Sequence, residues 1–455
     1  MKKRTEFEGV VSKVVFPNKG IVEIDGVKIT VKNTIPGQKV RAVVNKKRKD
    51  RIEARLLEVL EKSPLEVKAP CEVFGDCGGC LYQSLPYEEQ LSLKERQVKE
   101  LLAPFEIDHC FQGITPSPLP FHYRNKMEYS FGDEFLEGPL ALGLHKRGSM
   151  YDLVNATGCL LVSEDFNKIV QGTLSYFSDL KTPFYHKRRH EGYLRFLVVR
   201  RGVQTGELQV NLVTSSQLDL DLQPFVEMLN NLALEDEIKG IIHTVSDQLS
   251  DAVKVDDLHV LYGNDFFYEQ LFNLKFKISP FSFFQTNTLG AEKLYEVVRE
   301  YVGDTRDKVI FDLYSGTGTI TQLVAPVAKK AVGVEIVEEA VEAAKVNAEL
   351  NGLSNCEFIA GDVLKVIDDL ALSVDKPDTI ILDPPREGIH PKAMPKIIEF
   401  GVDHIVYVSC KPTSLARDLQ LFVAAGYQVD KWALVDMFPM TPHVETVVRL
   451  RRVNP

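Results

Sequence analysis

A chain of 455 residues, 44% hydrophobic and 26% charged, is an ordinary soluble globular composition on a length that exceeds one core, so two or three domains are expected. A net charge of −10 argues against a protein that coats nucleic acid unspecifically, and no apolar stretch is long enough to span a bilayer. The basic start Met1-Lys-Lys-Arg4 has no apolar block after it, and seven unevenly placed cysteines make no disulfide framework; a cytoplasmic protein with reduced thiols is expected.

Residues 1–62 hold 16 Lys plus Arg against 8 Asp plus Glu, a balance of +8 that leaves −18 on the remainder. Short β-type runs at 8–11, 20–26, 27–31 and 35–44 alternate with Gly and Pro turns and end in the basic tip Lys46-Lys-Arg-Lys49. This pattern predicts a small closed five-stranded barrel of the oligonucleotide-binding type. A basic module on an acidic body suits a polyanionic partner, with a solvated basic face as the plainer reading. A linker follows near Ser63-Pro64. Residues 63–280 form a central α+β region whose topology does not follow from its pattern. In residues 281–455 the strands expected at 309–314, 331–336, 356–360, 379–382 and 404–409 alternate with helices from about 319 and at 338–350, 363–371, 392–400 and 414–424. Such alternation predicts an α/β domain with a parallel sheet covered by helices. The consecutive strand-like segments 427–437 and 444–451 predict an antiparallel hairpin at the sheet edge.

The stretch Phe311-Asp-Leu-Tyr-Ser-Gly-Thr-Gly318 runs from a strand towards a helix, and Gly316 and Gly318 allow a tight backbone turn beside a ligand. A dinucleotide fingerprint needs a third glycine, which is missing. Glu335 ends the next strand, suitably for two ribose hydroxyls, which favours S-adenosylmethionine over nicotinamide. Asp362, at the third strand end, suits an adenine amino group or caps the following helix. Asp383-Pro-Pro-Arg386 ends the fourth strand, where the prolines stiffen the loop and aim the carboxylate over the cleft. Methylases of exocyclic amino groups place an aromatic after such prolines to stack a flipped base; Arg386 stands there instead.

Cys410 follows the apolar run His404-Ile-Val-Tyr-Val408 at a strand end. Core packing is the usual fate of a free cysteine. Lys411 and the N-terminus of the next helix would favour a thiolate, which makes Cys410 a candidate nucleophile. The methyl acceptor that needs a thiol is pyrimidine carbon 5. Thiolate addition at carbon 6 gives an enolate whose carbon 5 attacks the methyl group, a base removes the carbon 5 proton, and elimination frees the cysteine. Glu445, in Thr441-Pro-His-Val-Glu445 at the start of the last strand, is the candidate base, against a plain surface glutamate.

Three motifs in order, Asp-Pro-Pro-Arg-x-Gly at 383–388, Ser-Cys-x-Pro at 409–412 and His-x-Glu at 443–445, make the chain resemble the RNA 5-methyluridine methyltransferases over nearly its whole length. The resemblance implies a class I, Rossmann-like S-adenosylmethionine-dependent methyltransferase domain with Cys410 as nucleophile and Glu445 as proton acceptor. It further implies that Gln285, Tyr314, Glu335 and Asp383 line the cofactor site; Gln285 lies in Phe281-Ser-Phe-Phe-Gln-Thr-Asn287, which is similar to the family's Phe-x-Gln-x-Asn segment. Thr319 is a further candidate cofactor contact, at a position where some members have Asn. RNA cytosine methylases carry a second cysteine before a proline after the fourth strand; Asp383 stands there, against cytosine.

Cys71, Cys77 and Cys80 lie close together around the loop Phe74-Gly-Asp-Cys-Gly-Gly-Cys80, and Cys159 is the candidate fourth ligand. Three close cysteines and one distant one suit a cuboidal 4Fe-4S cluster better than the paired knuckles of zinc, which with a metal-free set of thiols remains the alternative. Many members of the family carry such a cluster with this spacing. Methyl transfer needs no electrons from it, so a structural role is expected. Cys110 and Cys356 have no motif and are assigned to packing. Tyr123-Arg-Asn-Lys126 and His186-Lys-Arg-Arg-His190 offer cations, with Tyr123 and Tyr185 as stacking faces for splayed bases, or else plain solvated charge. The barrel is similar to the TRAM type. Together with four cluster cysteines it is similar to members that methylate 23S ribosomal RNA, whereas the transfer-RNA members generally lack both. The expectation is a monomer forming 5-methyluridine in a 23S hairpin loop or single-stranded segment. A tRNA uracil-5 methyltransferase and a non-catalytic iron–sulfur RNA-binding factor are the alternatives.

Overall fold

The computed structural model describes residues 2–48, 51–249, 255–372 and 376–453. Lys49 of the basic tip lies outside the described residues.

Strands Glu6–Val15, Lys19–Ile24, Val27–Lys32, Lys39–Arg48 and Arg51–Glu61 close into a barrel, the fifth strand inserted between the third and fourth. Alternation drives this closure: Val22, Ile29, Val31, Val40, Ala42 and Val44 point inward and are almost wholly buried, while the residues between them face solvent. Burying each of the larger side chains contributes about 1.5–3 kcal/mol. The fifth strand was hidden in the sequence because Arg51, Glu53 and Arg55 alternate with the inward Ile52 and Ala54. The run expected from 35 starts at Lys39, since Pro36 lacks an N–H and Gly37 turns the chain at φ +88°.

The central region is a seven-stranded sheet in the order Asp257–Gly263, Glu237–Val245, Glu207–Thr214, Leu194–Gly202, Lys126–Asp133, Leu140–His145 and Leu153–Asn155. Helices Glu164–Asp179 and Gln223–Asn230 cover it through Phe166, Val170, Phe177, Phe225 and Leu229.

The C-terminal sheet has eight strands: Cys356–Ala360, Ala328–Glu335, Thr305–Leu313, Thr379–Leu382, His404–Ser409, Glu445–Arg452, Tyr427–Val435 and Phe111–Thr115. The first five run parallel, as the βα alternation predicts. The strand order reverses between Thr305–Leu313 and Thr379–Leu382, and at such a switch point a crevice opens at the carboxyl ends of the strands. The last two segments pair antiparallel as expected, but they are not the edge. Phe111–Thr115 adds parallel outside Tyr427–Val435, because Trp432 packs tilted against Phe111 at 4.2 Å between ring centroids and its Nε1 donates to Ile107 O at 2.8 Å. Residues on the central side of position 280 therefore build the C-terminal core. Helix Tyr87–Leu102 packs on helix Pro412–Ala424, and the hairpin Phe267–Leu271 with Leu274–Ile278 packs with helix Thr288–Val302.

Candidate active site

A cleft of about 1300 Å³ opens at the carboxyl ends of the parallel strands. Gln285, Tyr314, Gly316, Thr319, Glu335, Asp362, Asp383, Cys410 and Glu445 all line it. Gly318 stands behind the wall: a Cβ there would lie 2.5 Å from Phe358 and 2.8 Å from Ala344, so this glycine lets helix Thr319–Val324 approach its neighbours. Gly316, at φ +55°, donates its N–H to Glu335 Oε2 at 3.0 Å, and Val337 N donates to Oε1 at 3.0 Å. The Glu335 carboxylate is thereby fixed at the mouth of the turn. Tyr314 in the same turn holds φ +73°, a left-handed conformation that costs a non-glycine residue about 1–3 kcal/mol and is typical of functional turns. Asp362 lines the cleft and also caps, accepting from Leu364 N at 3.0 Å.

The fourth and fifth strand ends are tied into one unit. Asp418, on helix Pro412–Ala424, accepts from Ile389 N at 2.9 Å and from the Tyr407 hydroxyl at 2.8 Å, and Ser414 Oγ donates to Arg386 O at 2.7 Å. The loop carrying Asp383 and Arg386 is thus held against the helix that follows Cys410. Enclosure pushes Asp383 up to about 7, with the neighbouring Asp312 adding to it. Glu445, 5% exposed, is pushed up to about 8 by burial and then by Asp383, against the pull of Arg386. Burial, Glu445 and Asp383 push the Cys410 thiol up to about 11, opposed by the charge and hydrogen bond of Arg386. The cation acting on the thiol is therefore Arg386, not Lys411, whose side chain is exposed at the helix N-terminus. His443 is driven down to about 4 by burial and by the cations Arg386, Lys94 and Arg124, so it is neutral at pH 7.

A second cavity, of about 400 Å³, is lined by all four cluster candidates, Cys71, Cys77, Cys80 and Cys159, with Phe74, Leu144 and Leu161 among its walls. The thiols are free. Burial pushes Cys80 up to about 12 and raises Cys77 and Cys159, each further raised by other thiols of the set. Gly78 N donates to His145 O at 3.0 Å and Arg147 Nη2 to Cys80 O at 2.7 Å, which seats this loop on the central sheet. Among the described residues, no three His, Cys, Asp or Glu groups stand together as a single-ion site.

A sequence profile described as tRNA (Uracil-5-)-methyltransferase matches residues 86–453. The chain belongs to this family of RNA uracil-5 methyltransferases. It is 49% identical over 453 residues to an RNA methyltransferase of Clostridium tetani and 48% identical over 453 residues to one of Clostridium acetobutylicum, each alignment covering 99% of both chains. Among solved structures it is similar to the Pyrococcus abyssi tRNA (uracil-54, C5)-methyltransferase in complex with S-adenosyl-L-homocysteine, with TM-score 0.77 and 29% identity across 98% of this chain and 100% of that one. The fold is that of S-adenosylmethionine-dependent methyltransferases, preceded by a closed five-stranded barrel. Among the described residues no helix is long and apolar enough to cross a membrane.

Two stacking residues expected of this methyltransferase are unavailable to a base. Tyr123 is 3% exposed, with its hydroxyl donating to Pro439 O at 3.0 Å, and Tyr185 is 7% exposed beneath the Arg195 guanidinium, 4.5 Å from its ring. Both rings serve internal packing. Exposed aromatics include Tyr151, with Arg188 4.2 Å over its ring, and Phe281 and Phe283, which line the cleft. Sequence reading of the methyltransferase also missed Tyr295, Phe438 and Asp312. The first two line the cleft without a motif to mark them, whereas Asp312, an acid inside an apolar strand, was a visible signal. It is pushed up to about 6 by burial and accepts from Thr321 Oγ1 at 2.6 Å.

Proposed function

We propose that this methyltransferase makes 5-methyluridine in 23S ribosomal RNA through a covalent bond between Cys410 Sγ and carbon 6 of uracil, with Glu445 as the base. The observation that carries the reading is that Cys410, Glu445 and Asp383 share one cleft with the Gly316–Glu335 turn. S-adenosylmethionine, when bound, supplies an electrophilic methyl group on a sulfonium. The residues present suit it: Glu335, held by the Gly316 and Val337 amides, for the ribose; Asp362 beside the apolar Ile336 and Val337 for the adenine; Gln285, Tyr314 and Asp383 for the remainder.

Attack requires the thiolate, so Cys410 gives its proton to solvent as Arg386 pairs with the sulfur. The thiolate adds to carbon 6, and the electron pair displaced towards carbon 5 takes the methyl group. Glu445, ionised, then accepts the carbon 5 proton; the carbon 6–sulfur bond breaks, the ring double bond re-forms and the thiolate is returned. Arg386 favours the ionised form of both groups in this cycle.

The cysteine cavity, about 400 Å³ in volume and lined by four thiols with Glu72, Gln83, Asn155 and Thr157 as its other polar side chains, suits a 4Fe-4S cluster. Its function would be structural, in a cytoplasmic monomer whose barrel meets the RNA. A second reading, a transfer-RNA loop uridine, is favoured by one observation. The Pyrococcus abyssi enzyme matches over 98% of this chain, so the N-terminal region does not by itself exclude tRNA.

The test is incubation of the protein with S-adenosylmethionine and unmodified 23S and transfer RNAs, followed by mapping of 5-methyluridine. Product in 23S RNA alone supports the first reading, product in tRNA alone replaces it with the second, and no product in either overturns both. A Cys410→Ala variant with full activity would indicate an amino-group methylase instead.

A further inference from the structure

Lys94 sits in the middle of helix Tyr87–Leu102 and is wholly buried, a rare fate for a lysine. Its Nζ lies 2.7 Å from Asp436 Oδ1, and both side chains are 0% exposed. A second bond goes to Phe438 O at 3.1 Å. A buried ion pair is a weak source of stability compared with packed apolar side chains, so a pair kept at this depth invites a positional explanation.

Its partner begins the segment that delivers the base. Residues 436–444 run from the end of strand Tyr427–Val435 to Glu445, the first residue of the last strand. Within that segment Phe438 N donates to Asp436 Oδ1 at 3.2 Å, and Phe438 lines the cleft with Cys410 and Glu445. Gln90, one helical turn before Lys94, accepts from Met440 N at 2.9 Å. Leu81 N and Tyr82 N, next to Cys80, donate to Met440 O at 2.8 and 3.0 Å, and Asn287 Nδ2 donates to Met437 O at 2.9 Å. Met440 itself is held at φ +65°. The segment is thus fastened from the helix and from the cysteine loop, whereas the strand end before Cys410 is fastened through Asp418 and through pairing of Ser409 with Thr446 of the last strand.

We propose that Lys94 is a positioning residue: by holding Asp436 and the Phe438 carbonyl it sets the segment so that the Glu445 carboxylate meets the proton on carbon 5. This rests on the assignment of Cys410 and Glu445 given above. Because the Asp418 and Ser414 bonds hold the Cys410 corner without using residues 436–444, loss of Lys94 spares attachment of uracil to Cys410 and slows its release.

The experiment compares wild type with Lys94→Met, using RNA and S-adenosylmethionine and measuring both protein–RNA adduct and 5-methyluridine turnover. Turnover is expected to fall about 100-fold, the scale of a small misplacement of a reacting group. The adduct is expected to accumulate, and KM for RNA to stay within a few fold. Since Lys94→Met strands a buried carboxylate, the double variant Lys94→Met/Asp436→Leu is measured beside it; it should regain the wild-type unfolding temperature and remain slow in release. If the single variant fails to fold, the double variant decides. Adduct and turnover falling in proportion, or wild-type turnover in the double variant, would overturn the proposal alone. Wild-type protein that gives neither adduct nor 5-methyluridine would overturn the underlying assignment as well.

Discussion

The cleft and the cysteine cavity both gather groups that repel one another when ionised, but they resolve the conflict differently. In the cleft, Asp383 and Glu445 crowd together with Cys410, Asp312 lies buried behind Asp383, and the opposing charge comes from the exposed guanidinium of Arg386. The carboxyl pKa values are pushed towards the working range, whereas the Cys410 thiol is pushed above it. In the cysteine cavity, three of the four thiols are raised by burial and by one another, and no carboxylate lines the cavity walls except Glu72 at one side. Such thiols keep their protons at neutral pH. One cavity holds carboxyls that titrate near neutrality, the other buried thiols that do not.

The sharpest break of that contrast is Cys410→Ser. Turnover should fall about 10⁴-fold or more with no RNA adduct, as for loss of a covalent nucleophile, measured by 5-methyluridine formation; retained turnover would erase the distinction between the two thiol sites. Next, Glu445→Gln should lower turnover about 10²–10⁴-fold. Turnover of the wild type should rise with pH through about 8 as Glu445 sheds its proton and go on rising towards about 11 as Cys410 does, and a pH–rate profile reads this directly.

Stability should move the other way. Glu445 keeps its proton in the folded state up to about 8 but loses it near 4.5 when unfolded. The folded state therefore binds more protons between those values, and stability declines as pH rises through that window. Asp383, at about 7 against 3.8, acts in the same direction. Removing the Glu445 charge should make Glu445→Gln more stable than wild type at pH 8 by roughly 3 kcal/mol and nearly equal at pH 4, in denaturant melts at the two pH values. The smallest effect on chemistry should come from Cys159→Ser: an unfolding temperature lower by about 5 °C, with adduct formation at Cys410 retained.

The strand ends were legible because the C-terminal strands and helices follow regular periods and most chemical residues fall at or just after the carboxyl end of a parallel strand. Cys410, Glu335 and Asp383 needed only that rule. The thiol's cation was misread as Lys411 because adjacency in sequence is a poor guide at a strand-to-helix corner; Arg386, 24 positions earlier, arrives through the Asp418 network. The edge strand Phe111–Thr115 and the buried Lys94 depend on pairings across more than 300 residues, which no local period encodes. Tyr123 and Tyr185 looked like stacking faces because neighbouring cations suggest a surface, yet both rings fill gaps between elements.

The most direct measurement is the intact mass of Glu445→Gln after incubation with unmodified RNA and S-adenosylmethionine. The predicted result is a trapped species in which methylated RNA is bound through Cys410, absent when Cys410→Ala is added to the same variant. Normal turnover by Glu445→Gln, or an adduct that survives loss of Cys410, would contradict the pairing of this thiol with this carboxylate.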